Sequence, residues 1–372
     1  MVALLLGTLG VVGCTGAQPQ GWSGVVVAGD DLFLGSMKGK LVALNVSTGV
    51  HLEGFEDYEV TGSSSSGFGC SSTSSAVPIY GTPVATGELV YFGGYNGRVY
   101  ALNAVSGKRR WVYPTEGTLK PIVGGVVVSG SSLYFGDDDG RLYCLDIESM
   151  DEDKKLWDFP TGDKIWATPV VSGDMVFIGS FDKKFYAINA ADGSLKWEYP
   201  TEGAVVGSPA VDNGTAYFGS FDRHLYAVSA DGSLKWQSDF IAGKWFWAGP
   251  VISDGMIYAP NLDGKVYIVD AGTGQKIAEP DLGAPISSSP VVIGSMVIVA
   301  TDNGTVYSID TGSHQANVVA TLSTDAGKEE IVRAPLHAAD GVVYIHTQTQ
   351  PEEGVYALLP ETGEILWRIA VK

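Results

Sequence analysis

The 372-residue sequence predicts an all-β fold, an eight-bladed β-propeller of four-stranded antiparallel blades, on three observations. A long phrase is written twice, GSFDKKFYAINAADGSLKW at 179–197 and GSFDRHLYAVSADGSLKW at 219–236. Its tyrosine recurs at Tyr100, Tyr143, Tyr186, Tyr226, Tyr267, Tyr307 and Tyr356, with Val42 in the first copy, mostly at intervals of 40 to 43 residues. A period in that range, carried by short strands, signals a closed array of repeats. Composition agrees, since 49 glycines and abundant tyrosine, valine and tryptophan favour strands and tight turns over helices.

Within one repeat the elements follow in order. TPVVSG opens the first strand, DMVFIGS forms the second, KKFYAIN the third and LKWEYP the fourth, each β-branched or aromatic and each bounded by turn residues. The second and third strands are joined by tight turns tipped with Asn96-Gly97, Asp139-Gly140, Asp263-Gly264 or Asn303-Gly304, pairs that accept positive φ. One long interval, Val42 to Tyr100, holds the low-complexity insertion TGSSSSGFGCSSTSS at 61–75. The propeller is expected over 22–372.

The third and fourth strands share a motif: Ala, then Gly six residues on and Trp ten on. It stands as Ala101, Gly107, Trp111, as Ala187, Gly193, Trp197, and as Ala357, Gly363, Trp367; one residue shorter, it is Ala227, Gly232, Trp236. The motif resembles the tryptophan-docking repeat of pyrroloquinoline-quinone-like (PQQ-like) propellers. The resemblance implies that the glycine permits the turn while the indole fills the wedge between neighbouring blades. Blades one, six and seven lack the tryptophan, with Glu53, Ala278 and a diverged stretch after Gly312. Asp182 and Asp222 sit at hairpin tips, and Asp137-Asp138-Asp139 occupies the same turn, so these acids are expected to be turn residues, the triplet a solvated one.

The start, MVALLLGTLGVVGC, carries an apolar run too short to span a bilayer and suited to a signal-peptide core. Val11-Val12-Gly13-Cys14 resembles the lipobox of bacterial lipoproteins, which implies a processed segment 1–14, acylation of Cys14 and a tether over 15–21. No Lys or Arg precedes the run, and a buried first strand is the alternative. The other two cysteines, Cys70 in the insertion and Cys144 in a third strand, are either a bridge or two separate thiols. With 42 acidic and 23 basic residues the formal charge is −19, which disfavours nucleic acid as a partner.

For function, three classes stand beside each other. The repeat resembles quinoprotein dehydrogenases, but these are longer and supply a calcium set, a basic residue and often vicinal cysteines, and neither the calcium set nor vicinal cysteines are recognisable here. No catalytic residues, cofactor or metal are therefore expected. The lipobox, eight blades and lack of catalytic motifs resemble the BamB-like lipoproteins of outer-membrane β-barrel assembly. That resemblance implies a monomeric, lipid-anchored scaffold in the cell envelope, at the periplasmic face of the outer membrane or the cell surface, binding envelope proteins. A glycan-binding surface lipoprotein is the third class. Aligning first strands on the Thr-Pro-like step gives a column of Trp22, Tyr80, Val123, Trp166, Val206, Trp247, Ser287 and Val332. The second-to-third hairpins and lead-in loops add Tyr95, Phe181, Phe221, Trp245 and Phe246 to the same face. Such an aromatic mouth is either a partner site or a plug for the axial channel.

Overall fold

A computed structural model describes residues 23–62, 75–349 and 352–371. Cys14, Trp22 and Cys70 lie outside these residues. The described residues form eight four-stranded antiparallel sheets, each with its strands side by side in chain order. They contain no helix. The blades span 25–59, 84–113, 127–160, 170–200, 210–237, 251–278, 291–321 and 337–371. At the base of the insertion, Thr61–Gly62 pairs with Ser75–Ala76 as a two-stranded ribbon.

Blade four shows how the repeat builds itself, from Val170–Ser172, Met175–Gly179, Lys184–Asn189 and Leu195–Pro200. The second and third strands are almost wholly buried, and the fourth alternates toward solvent as the outer edge. At the turn between third and fourth strands, Asn189 Oδ1 accepts the Ala191 amide at 3.0 Å, and the Gly193 amide donates to Asn189 O at 2.9 Å. The Asn or Asp two residues after the motif alanine thus shapes the loop with its own side chain. Ala187 then pairs with Trp197 while Ile188 pairs with Leu195, a one-residue bulge that re-aims the tryptophan. The same bulge recurs at Ala101, Cys144, Ala227, Ile268 and Ala357.

Packing between blades supplies the core. Eight apolar clusters of buried residues occupy the seams, one for each neighbouring pair of blades. First strands of consecutive blades meet around the axis, and the last meets the first. Blade eight is formed wholly by residues 337–371 and blade one by 25–59, so the ring closes without an exchanged strand. Side chains make that closure: Trp367 Nε1 donates to Val46 O at 2.8 Å. The Val27 amide donates to His337 Nε2 at 3.3 Å, and the Met37 amide donates to Glu353 Oε1 at 2.9 Å.

The motif residues occupy these seams in a regular relation. A Cβ on Gly193 would lie 2.7 Å from the Trp157 ring of the preceding blade. Gly232 stands in that relation to Trp197, Gly274 to Trp236 and Gly49 to Trp367. The four indole N–H groups donate to carbonyls of the blade they meet, Ala190, Ala230, Ala271 and Val46, at 2.8 to 3.1 Å. Trp157 was not among the motif tryptophans read from the sequence, because the turn before it is longer and its partner is Cys144 rather than alanine. Its fourth strand does end Trp-Asp-Phe-Pro, as Trp197 begins Trp-Glu-Tyr-Pro, and counting back from that proline finds it. Cys144 is a buried free thiol whose pKa burial pushes up to about 11.

Candidate functional site

The lead-in to each first strand brings one residue to the mouth of the axial channel. Tyr80, Val123, Trp166, Val206, Trp247 and Ser287 line a small cavity there of about 80 Å3. The eighth slot is corrected by the structure. Arg333 lines the cavity, whereas Val332 is fully buried, alongside Ile79, Ile122, Ile165, Val205 and Ile286 in the other blades. The sequence alignment slipped because Pro335 comes one position early relative to its sister prolines. Phe246 belongs to that same buried row and is 1% exposed, so it packs in the core rather than on the face.

Main-chain amides and hydroxyls link the blades just below the mouth. Gly24 N donates to Thr82 Oγ1 at 3.1 Å, Gly125 N to Thr168 Oγ1 at 2.9 Å, Thr168 N to Ser208 Oγ at 3.1 Å and Gly249 N to Ser289 Oγ at 3.1 Å. The Thr or Ser two places after the column residue is therefore already engaged, which leaves the rings and Arg333 to face the cavity. Arg333 Nε stands 3.7 Å from Asp302 Oδ2, whose other oxygen accepts the Ser287 amide at 3.0 Å.

Five aromatic residues of blades four to six form one connected cluster. Trp166 meets Phe181 edge-on at 4.7 Å between centroids and Trp247 at 6.3 Å. Phe181 meets Phe221 at 6.2 Å. Phe221 is stacked against Trp245 at 4.6 Å and against Trp247 at 5.7 Å. Such offset and edge-on contacts hold rings in place beyond their area burial. The cluster is not wholly consumed by packing: Trp245 is 50% exposed and the other four are partly so. Tyr80 and Tyr95 form a separate pair at 5.1 Å, in which Tyr80 is 5% exposed and its hydroxyl is pushed above the ordinary range by burial.

The acids near the mouth are tied down. Asp182 Oδ2 accepts Tyr186 Oη at 2.5 Å and the Gly162 amide at 2.6 Å. Asp222 Oδ2 likewise accepts Tyr226 Oη at 2.8 Å and the Glu202 amide at 2.9 Å, and Asp263 Oδ2 accepts Tyr267 Oη at 2.7 Å and the Gly243 amide at 2.9 Å. The repeated tyrosine and aspartate thus pin each hairpin to the loop arriving from the previous blade, more than a turn alone requires. Burial first, then the carboxylate, pushes these three hydroxyls upward. The Asp137–Asp139 triplet is corrected too, since only Asp139 is exposed. Asp137 is buried, accepts the Asp139 and Arg141 amides at 3.0 Å, and has its carboxyl pKa raised by burial. Asp138 accepts Trp166 Nε1 at 2.8 Å and Lys164 Nζ at 3.1 Å, fixing the ring's orientation.

A calcium-bound quinone would need convergent carboxylates, and the residues present do not fit it. The cavity lining carries no carboxylate, and among the described residues no three His, Cys, Asp or Glu side chains converge.

A closed propeller with a ring-lined mouth is what the fold and this face define. The family model described as outer membrane protein assembly factor BamB matches residues 17–152 and again 147–369, and the chain belongs to that family. Among solved structures it is similar to BamB from Moraxella catarrhalis, at 19% identity and a TM-score of 0.67, over 87% of this chain and 90% of that one. It is also similar to the computationally designed Ika8 protein, at 16% identity and a TM-score of 0.71, over 92% and 98%. At these identities the likeness shows the fold alone. No curated protein matches the sequence.

Proposed function

We propose that this chain is a non-catalytic scaffold of the bacterial cell envelope, lipid-anchored through Cys14, that binds protein partners through the aromatic mouth of Trp166, Phe181, Phe221, Trp245 and Trp247. Tyr80 and Tyr95 extend that face toward the neighbouring blades, and Trp22, outside the described residues, belongs to the same column of the sequence. The observation that carries the reading is contiguity: five rings on three consecutive blades touch in one cluster, and its outermost indole is 50% exposed. Rings that only plugged a channel would be buried there. Membership in the BamB family supports a partner in outer-membrane protein assembly.

Trp245→Ala combined with Trp247→Ala is expected to weaken capture of envelope partners from detergent-solubilised membranes by about 2 kcal/mol or more, roughly 30-fold. The melting temperature should stay near that of the parent chain. A large fall in melting temperature with proportional loss of capture would make these tryptophans core and end the proposal. Fractionating the Cys14→Ser chain tests the anchor, which should release it to the soluble fraction; retention in the membrane would refute lipidation at that cysteine.

A further inference from the structure

We infer that the partner segment seated on this mouth is acidic and extended, and that Lys183 and Arg223 read its charge. The inference rests on the partner-binding reading above and deepens it. It starts from one backbone slot. In the hairpin joining second to third strands, the third residue is left-handed in seven blades, and in five of them it is glycine: Gly39, Gly97, Gly140, Gly264 and Gly304, with φ between 70° and 90°. Its carbonyl accepts an amide from the loop that follows the fourth strand in all seven, at 2.7 to 3.0 Å. Blades four and five put Lys183 (φ 69°) and Arg223 (φ 73°) there instead.

That choice works against local backbone preference, because a side chain with a Cβ disfavours the left-handed region. It also needs room. A Cβ on Gly97 would lie 2.0 Å from Leu119 O, and one on Gly140 2.4 Å from Asp163 O, so a side chain in this slot requires a differently shaped neighbouring loop, which blades four and five supply. Both residues are exposed, and among the described residues no ion pair uses the two charges. The adjacent Asp182 and Asp222 are held by tyrosine hydroxyls and loop amides. Strained, exposed, unpaired cations on a chain of net charge −19 are best placed to meet carboxylates from outside.

Their position supplies the rest. Lys183 follows Phe181 by two residues, Arg223 follows Phe221 by two, and exposed Lys244 precedes Trp245, so blades four, five and six each carry an exposed cation within two residues of a ring of the cluster. A partner crossing this arc in extended form meets three charges and three rings in turn. A protein segment bearing both acidic and aromatic side chains matches that composition.

The test uses the full chain in detergent and a fluorescein-labelled dodecapeptide of alternating Glu and Tyr, read by anisotropy, alongside capture of envelope partners. The parent chain should bind the peptide, with affinity falling steeply as salt rises. Lys183→Gly with Arg223→Gly restores the residue of the other blades. This double variant should lose about tenfold or more in affinity, while its melting temperature stays equal or rises because glycine suits the slot. The inference is overturned by unchanged peptide affinity in that variant, by loss of binding in step with loss of stability, by equal binding of a Lys-Tyr peptide, or by preference for oligogalacturonate, which would make the ligand an anionic glycan. If the Trp245→Ala, Trp247→Ala chain loses partner capture but the glycine variant does not, the partner site stands and the charge reading falls. If neither variant changes capture, both fall.

Discussion

The seam between blades three and four and the seam between blades two and three begin from a tryptophan on a bulged fourth strand, yet only one is completed. At the first, Trp157 lies over Gly193 and its N–H reaches Ala190 O at 3.1 Å. At the second, Trp111 faces a blade whose turn, Asp146 to Lys154, contains no glycine. Its Nε1 is buried with no hydrogen-bond partner among the described residues, and Lys154 Nζ stands 5.3 Å above the ring. Burial lowers the Lys154 pKa, so this replacement contact brings a desolvation cost with it. The difference teaches that the motif works across two blades: one donates the indole, and the next must offer a bare Cα and a carbonyl.

The largest expected effect breaks or upholds that contrast directly. Trp236, 7% exposed and hydrogen-bonded to Ala271 O at 3.0 Å, should cost about 3–5 kcal/mol when changed to Ala, and Trp111→Ala clearly less. Denaturant unfolding measures both, and equal losses would show that the receiving glycine and carbonyl do not matter. A finer comparison keeps the ring and removes the N–H. Trp236→Phe leaves Ala271 O with only the Tyr217 hydroxyl as donor and should lose about 0.5–1.5 kcal/mol beyond the change in ring size, whereas Trp111→Phe removes an unpaired donor and should be near neutral or stabilising. A Trp111→Phe chain as damaged as Trp236→Phe would mean that the Trp111 N–H finds a partner in solution.

The smallest effect concerns the closing seam, where blade eight meets blade one. His337 Nε2 accepts the Val27 amide, and burial holds the imidazole pKa below its ordinary 6.5. Between the depressed folded pKa and 6.5 the unfolded chain binds more protons, so stability is full above 6.5 and declines as pH falls through that window. His337→Gln, which keeps an acceptor without titrating, should flatten that part of the melting-temperature profile. An unaltered slope would remove His337 from the acid sensitivity of the closure.

Much of this is legible in the sequence. Tyr100 to Tyr356 counted the blades, and the runs around Tyr186 located four strands, because short hairpins and their positive-φ turns are encoded within a few residues of chain. The column from Tyr80 to Ser287 was readable for the same local reason. It failed at Arg333, where a proline shifted by one residue misaligned the count, and at Phe246, whose neighbours alternate inward and outward without a change in composition. Trp157 was hidden by a longer turn.

What the sequence determined by itself, then, was the repeated unit: strand order, bulge spacing, hairpin chemistry and an excess of negative charge. What only the tertiary structure decided was every relation that crosses a seam. Gly193 looked like a turn residue until Trp157, 36 residues earlier in the chain, was found lying against it. Lys183 and Arg223 are left-handed in the slot that glycine fills in five other blades, which their residue types do not announce. The closure by Trp367 and Val46 joins residues 321 positions apart. Local patterns record what a residue does to its own hairpin. Contacts between blades depend on where the ring brings distant segments together, and the repeat alone does not distinguish a completed seam from an incomplete one.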